Sequence, residues 1–83
     1  MIKYMIKLYL NSIEKVKKFV SITMKQKSEI FITSGKFVVD GKSILGLFSL
    51  DLSQPLEMKI IENIKGESNE FIKELDDLGF IYN

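Results

Sequence analysis

Cysteine, histidine and arginine are all missing from this 83-residue chain, and proline occurs once. Without cysteine there is no disulfide framework and no thiolate nucleophile, and nothing asks for an oxidising compartment. Without histidine, the commonest routes to a phosphorylated imidazole or a Zn²⁺ site are closed. Without arginine, the chain lacks the residue that most often reads base edges in DNA. A long apolar run is missing too: Met1-Ile2-Lys3-Tyr4-Met5-Ile6-Lys7 interrupts its apolar residues with lysine, unlike a signal peptide or a membrane span. There is no Gly-rich phosphate loop, nucleophile elbow or acid pair in a recognisable frame. Glu74, Asp76 and Asp77 form an acidic run, but Leu75 and Leu78 beside them mark the solvated face of a helix rather than a metal site. These absences imply a cytoplasmic protein that is not an enzyme and needs no cofactor, metal or membrane.

What is present suffices for one modest core. The chain is 46% hydrophobic and 11% aromatic, which suits a single domain over residues 1–83. Its net charge of +1 hides an asymmetry: residues 1–42 hold nine lysines against three acids, whereas residues 43–83 hold three lysines against eight acids. Such a split can build one basic and one acidic face. In a compact fold the halves interleave, and mixing of the charges over the surface is the stronger expectation.

Ile2, Tyr4, Ile6, Leu8 and Leu10 alternate with Lys3, Met5, Lys7 and Tyr9, the period of a strand with one buried face. Asn11 or Ser12 then offers a helix N-cap, and Asn11 with Glu14 has the spacing of a capping box. Val16, Phe19, Val20, Thr23 and Met24 follow at helical spacing, with Lys15, Lys17, Lys18, Lys25 and Lys27 elsewhere on the wheel. Residues 29–33 and 37–39 read as a hairpin around Ser34-Gly35-Lys36. A short helix is expected from Ser43 to Leu50 or Leu52, and Ser53-Gln54-Pro55 precedes a last strand over 56–61. Gly66 and Ser68 introduce a final helix with Phe71, Ile72, Leu75 and Leu78 in one stripe and Gly79 as its stop. The expected fold is α+β, in the order β-α-β-β-α-β-α: a four-stranded antiparallel sheet with three helices on one face and water on the other.

The run from Lys42 to Leu50 carries the functional signal. Ser43 fits an N-cap, a role worth about 0.5–2 kcal/mol. On the wheel Leu47 and Leu50 fall together, while Ile44, Leu45 and Phe48 lie about a third of a turn or more away, so not all of them can enter one core. Either a neighbouring loop or the long helix covers the second group, or Ile44, Leu45 and Phe48 form an exposed apolar patch beside Ser43. The exposed patch is the expectation, and it is the kind of feature that marks a partner site. A phosphate on a capping serine meets free amides and adds about 1.5 to 2 negative charges beside that patch.

The element order and Lys42-Ser43-Ile44-Leu45-Gly46-Leu47-Phe48-Ser49-Leu50, followed by Glu57 and Ile60, resemble the HPr family, the phosphocarriers of the bacterial phosphoenolpyruvate-dependent sugar phosphotransferase system. The likeness covers nearly the whole chain and implies an open-faced β-sandwich. It also implies that Ser43 matches the serine phosphorylated by HPr kinase, and that Ile44, Leu45 and Phe48 belong to the partner-binding surface. The family's phosphocarrier motif, Gly-Ile-His-Ala-Arg-Pro-Ala, is not kept. Ungapped comparison sets Glu14 at the histidine, and a three-residue shortening of the preceding loop sets Ser12 there, the placement that keeps Val16, Phe19 and Val20 on the buried helix face. Neither side chain reproduces the reversible transfer chemistry of a phosphoimidazole, so phosphate relay is excluded on chemical grounds.

The functional analogue that the resemblance implies is the histidine-less Crh type within that family, which acts through a phosphoserine as a cofactor of a catabolite-control repressor. The family's arginine, which helps to read the phosphoserine form, is absent; only Lys15, Lys17 or Lys18 could supply its charge, as point cations rather than a bidentate fork. The expected function is thus regulatory protein binding, with an HPr kinase-like enzyme or a transcriptional regulator as partner and Ser43 as the switch. The alternatives are a residual phosphotransferase-system component, a lysine-rich nucleic-acid-binding module, which the missing arginine and aromatic ladder disfavour, and a dimerising module. A monomer or weak homodimer is expected.

Overall fold

The computed structural model describes residues 2–82. Seven elements follow in the expected order: β1 (Ile2–Leu8), α1 (Ile13–Thr23), β2 (Glu29–Ser34), β3 (Phe37–Asp40), α2 (Ile44–Phe48), β4 (Leu56–Ile61) and α3 (Glu67–Asp77). The fold is α+β, with one antiparallel sheet in the order β1-β4-β2-β3 and its helices on one side. Met1 and the facing of the Ile2 and Lys3 side chains lie outside the described residues.

Strand alternation sets the layers. On β4, Leu56, Met58 and Ile60 are buried, while Glu57, Lys59 and Ile61 are only partly covered. Leu8 and Leu10 of the first strand region, with Ile30 and Ile32 of β2, join the same core. The helices add Val16, Phe19, Val20 and Ile22 from α1, Leu47 from α2, and Phe71 and Leu75 from α3. The opposite face of the sheet is open. Across it Lys7 lies opposite Glu57, one place where charges from the two halves of the chain mix.

Local chemistry explains the ends of the elements. Ser12 is the N-cap of α1, and its hydroxyl accepts from the Lys15 amide at 3.1 Å. The Asn11–Glu14 capping box therefore does not form; Asn11 Oδ1 instead accepts from Lys15 Nζ at 3.0 Å. Gly35, at the first central position of the two-residue β2–β3 turn, has φ 58°, the sign a type II′ hairpin requires there. The α3 C-terminus is a Schellman motif, in which the Gly79 amide donates to Asp76 O (2.9 Å) and the Phe80 amide to Leu75 O (3.0 Å). Gly79 has φ 76°, which a side-chain-bearing residue rarely adopts.

Three expectations need correction. Met24 is exposed rather than buried, because it sits off the arc of Val16, Phe19, Val20 and Thr23, and Ile22 enters the core on the other flank. Leu78 is also exposed, and Phe80, beyond the Schellman turn, takes the expected core place. The second helix is shorter than expected and ends at Phe48, although Leu50 still reaches the core.

Candidate docking corner at Ser43

The corner between β3 and α2 is built by backbone bonds before any side chain points outward. The Gly41 amide donates to Ile30 O (2.7 Å), closing the β2–β3 ladder, and the Ser43 amide donates to Asp40 O (3.0 Å). Asp40 Oδ1 accepts from the Lys42 amide at 2.8 Å. Thr23 Oγ1, buried at the end of α1, donates to Gly41 O at 2.8 Å, and Lys42 Nζ donates to Gln26 O at 2.7 Å. The corner is thereby tied to the C-terminal end of α1.

From this platform Ser43 caps α2, its Oγ accepting from the Gly46 amide at 3.0 Å. Gly46 is favoured by close approach. A Cβ there would stand 3.1 Å from Ser43 Oγ and 3.2 Å from Val39 Cβ, so the missing side chain lets α2 lie against β3. With that contact made, Leu47 is fully buried and Ile44 is half-buried against the core. Leu45 is 79% exposed and Phe48 39% exposed. The apolar patch therefore consists chiefly of Leu45 and Phe48, with Ile44 at its inner margin.

The remaining candidate residues do not gather here. Ser12 lies at the start of α1 and the Ser43 corner is tied to its end, a separation of about 16 Å along an eleven-residue helix. Glu14 is exposed in the first turn of α1. Lys15 is held at that same end by Asn11, with its ammonium 5.9 Å from the centre of the Tyr9 ring. Lys18 lines a groove between α1 and α3 together with Glu67, Glu70, Glu74 and Asp77. Only Lys17 falls on the α1 flank opposite Lys18, the flank it shares with exposed Ile13 and Met24. Sequence reasoning missed Ile13, whose place on the wheel outside the core arc was the available signal, and set Met24 at the margin of the core stripe instead.

On the far side of α1 the electrostatics serve structure. Glu67 accepts from the Lys27 amide (2.9 Å), the Ser28 amide (2.9 Å) and the Ser28 hydroxyl (2.6 Å). Partial burial pushes its carboxyl up, but these hydrogen bonds and the charge of Lys42 together hold it below the ordinary glutamate value. Among the described residues no group of three or more acidic side chains could hold a metal ion, and no helix is long and apolar enough to cross a membrane. No family model and no curated protein matches this chain.

Proposed function

We propose that this chain is a non-catalytic, HPr-like regulatory protein of the cytoplasm that docks a protein partner on α2, with phosphorylation of Ser43 as its switch. The observation that carries this reading is the placement of Leu45, 79% exposed, and Phe48 on the helix that Ser43 caps. An apolar patch held by a short, well-anchored helix is suited to a partner that buries it, and a charge at the adjacent cap changes what the patch accepts. The resemblance of residues 42–50 to the regulatory-serine segment supports the same site and suggests an HPr kinase-like enzyme or a transcriptional regulator as partner.

In the modification step Ser43 Oγ attacks the γ-phosphorus of ATP, its proton passes to the kinase's base, and ADP leaves. The product's phosphate oxygens inherit the Gly46 amide that Oγ now engages. Incubation with an HPr kinase and ATP should add one phosphoryl group by intact mass, located at Ser43 and absent from Ser43→Ala. No mass gain removes the switch. Incubation with phosphoenolpyruvate and the relay's first enzyme should leave the chain unlabelled, because neither Ser12 nor Glu14 replaces the imidazole.

A further inference from the structure

Thr23 is the one polar side chain among the buried residues of α1, where it stands with Val16, Phe19, Val20 and Ile22. Valine would meet the same shape, so the buried hydroxyl needs a reason of its own. Its single proton has two acceptors in reach: Gly41 O at 2.8 Å and, one turn back in α1, Val20 O at 3.1 Å. Val20 O already accepts the Met24 amide at 3.0 Å, whereas no other donor reaches Gly41 O among the described residues. The hydroxyl therefore serves the corner first.

The bond acts where the chain turns toward Ser43. Gly41 is buried and pressed against β2: its amide donates to Ile30 O at 2.7 Å, and a Cβ on it would stand 2.5 Å from Ile30 Cγ2. Its carbonyl belongs to the peptide unit that continues into Lys42, and the N–H of that unit donates to Asp40 Oδ1 at 2.8 Å. Both ends of the Gly41–Lys42 peptide are thus held, one by Thr23 and the other by Asp40. Ser43 follows directly, and beyond it α2 has Leu47 as its one buried residue.

We infer that Thr23 is a positioning residue for Ser43, a latch whose hydroxyl fixes the Gly41–Lys42 peptide and keeps α2 docked. Its bearing on a kinase rests on the reading of Ser43 as a phosphorylation site. When α2 lifts, the hydroxyl turns back to Val20 O and stays paired although it is buried, so opening strands no donor. Valine in its place shifts the balance: the docked corner then buries Gly41 O without a partner, while in the open corner water reaches that carbonyl. The α1 ladder is untouched, because Val20 O keeps the Met24 amide.

Amide exchange and kinase kinetics on Thr23→Val and Thr23→Ser test the latch, because the two variants should fail in opposite ways. Thr23→Val loses the donor and keeps the packing. Its Leu47 and Ser49 amides, bonded to Ser43 O and Leu45 O, should exchange roughly tenfold faster, and β4 amides should change less, since the added methyl group offsets part of the loss in global unfolding. Thr23→Ser keeps the donor and loses a methyl group, so β4 exchange should speed up while the opening of α2 stays near the parent's. With an HPr kinase and ATP, Thr23→Val should show KM for the protein raised about twofold or more at unchanged kcat, because a smaller docked fraction meets the kinase, and Thr23→Ser should match the parent. A parent chain that the kinase leaves unmodified removes the Ser43 switch, and the exchange results then decide the latch by themselves. Faster α2 exchange in Thr23→Ser equal to that in Thr23→Val, or an acceleration in Thr23→Val no greater at α2 than at β4, overturns the inference. So does an unchanged KM for Thr23→Val where the parent is phosphorylated.

Discussion

Ser12 and Ser43 cap their helices alike, each hydroxyl accepting the amide three residues on, at 3.1 and 3.0 Å. The helices they begin then differ. Along α1, Val16, Phe19, Val20, Ile22 and Thr23 are all buried, and the α1–β2 loop is clamped to α3 through Glu67. On α2 only Leu47 is buried, and Leu45 and Phe48 remain open to water. One region uses its apolar residues to hold the molecule together; the other keeps apolar residues that the core does not need. A short helix with one core anchor, fixed at its start by a serine and by a glycine against β3, is therefore the more informative place to look for a partner.

The sharpest way to break this contrast is truncation within α2 itself. Leu47→Ala should lower unfolding stability in urea by about 2–5 kcal/mol, because it opens a cavity at a fully buried position. Leu45→Ala, two residues away, should stay within about 0.5 kcal/mol. Equal losses would mean that Leu45 belongs to the core after all. Next in size are the caps: Ser12→Ala and Ser43→Ala should each cost about 0.5–2 kcal/mol. The first should appear in global unfolding, and the second chiefly as faster amide exchange in α2, whose single anchor leaves it the easier helix to open.

The clamp sharpens the comparison through pH. The Glu67 carboxyl is more acidic folded than unfolded, so the folded chain binds fewer protons in that range. Its contribution is fully present above the unfolded glutamate pKa of about 4.3, and disappears as pH falls through the lower folded value. Glu67→Gln should flatten that acid slope in thermal melts and leave α2 unchanged. The smallest effect is expected at Ser68, whose buried hydroxyl has no hydrogen-bond partner among the described residues. Ser68→Ala should be neutral or stabilising by up to about 1 kcal/mol, since a buried polar group without a partner contributes only its desolvation cost.

Periodicity made the sheet legible: the strand alternation through Leu8 and over residues 56–61, the glycines at the hairpin turn and at the end of α3, and the two capping serines all carry local signals that survive into the fold. Positions at the margin of a helical stripe were less legible. Met24 and Leu78 satisfy the spacing rule, but a neighbouring turn or strand decides whether the core reaches them, and at α3 the Schellman turn delivers Phe80 instead. At the candidate site the wheel separated Leu47 and Leu50 from Leu45 and Phe48, because burial on a short helix follows directly from angle. Ile44, three residues before Leu47, stands beside it on the same wheel and leans inward with it. What no wheel reveals is that Lys15 is held at the far end of α1 and that Lys18 lines the groove toward α3. Those facts depend on which element lies beside α1, and no spacing along one segment encodes that.

The most direct test of α2 as a docking surface is the rate at which an HPr kinase phosphorylates Ser43 in the parent chain and in the Leu45→Ala, Phe48→Ala double variant, with unfolding stability measured alongside. The account predicts stoichiometric modification of the parent at Ser43, and modification slowed by roughly tenfold or more in a variant that remains folded, as expected when exposed apolar anchors of an interface are truncated. Equal rates for the two chains, or no phosphate on either, would contradict it.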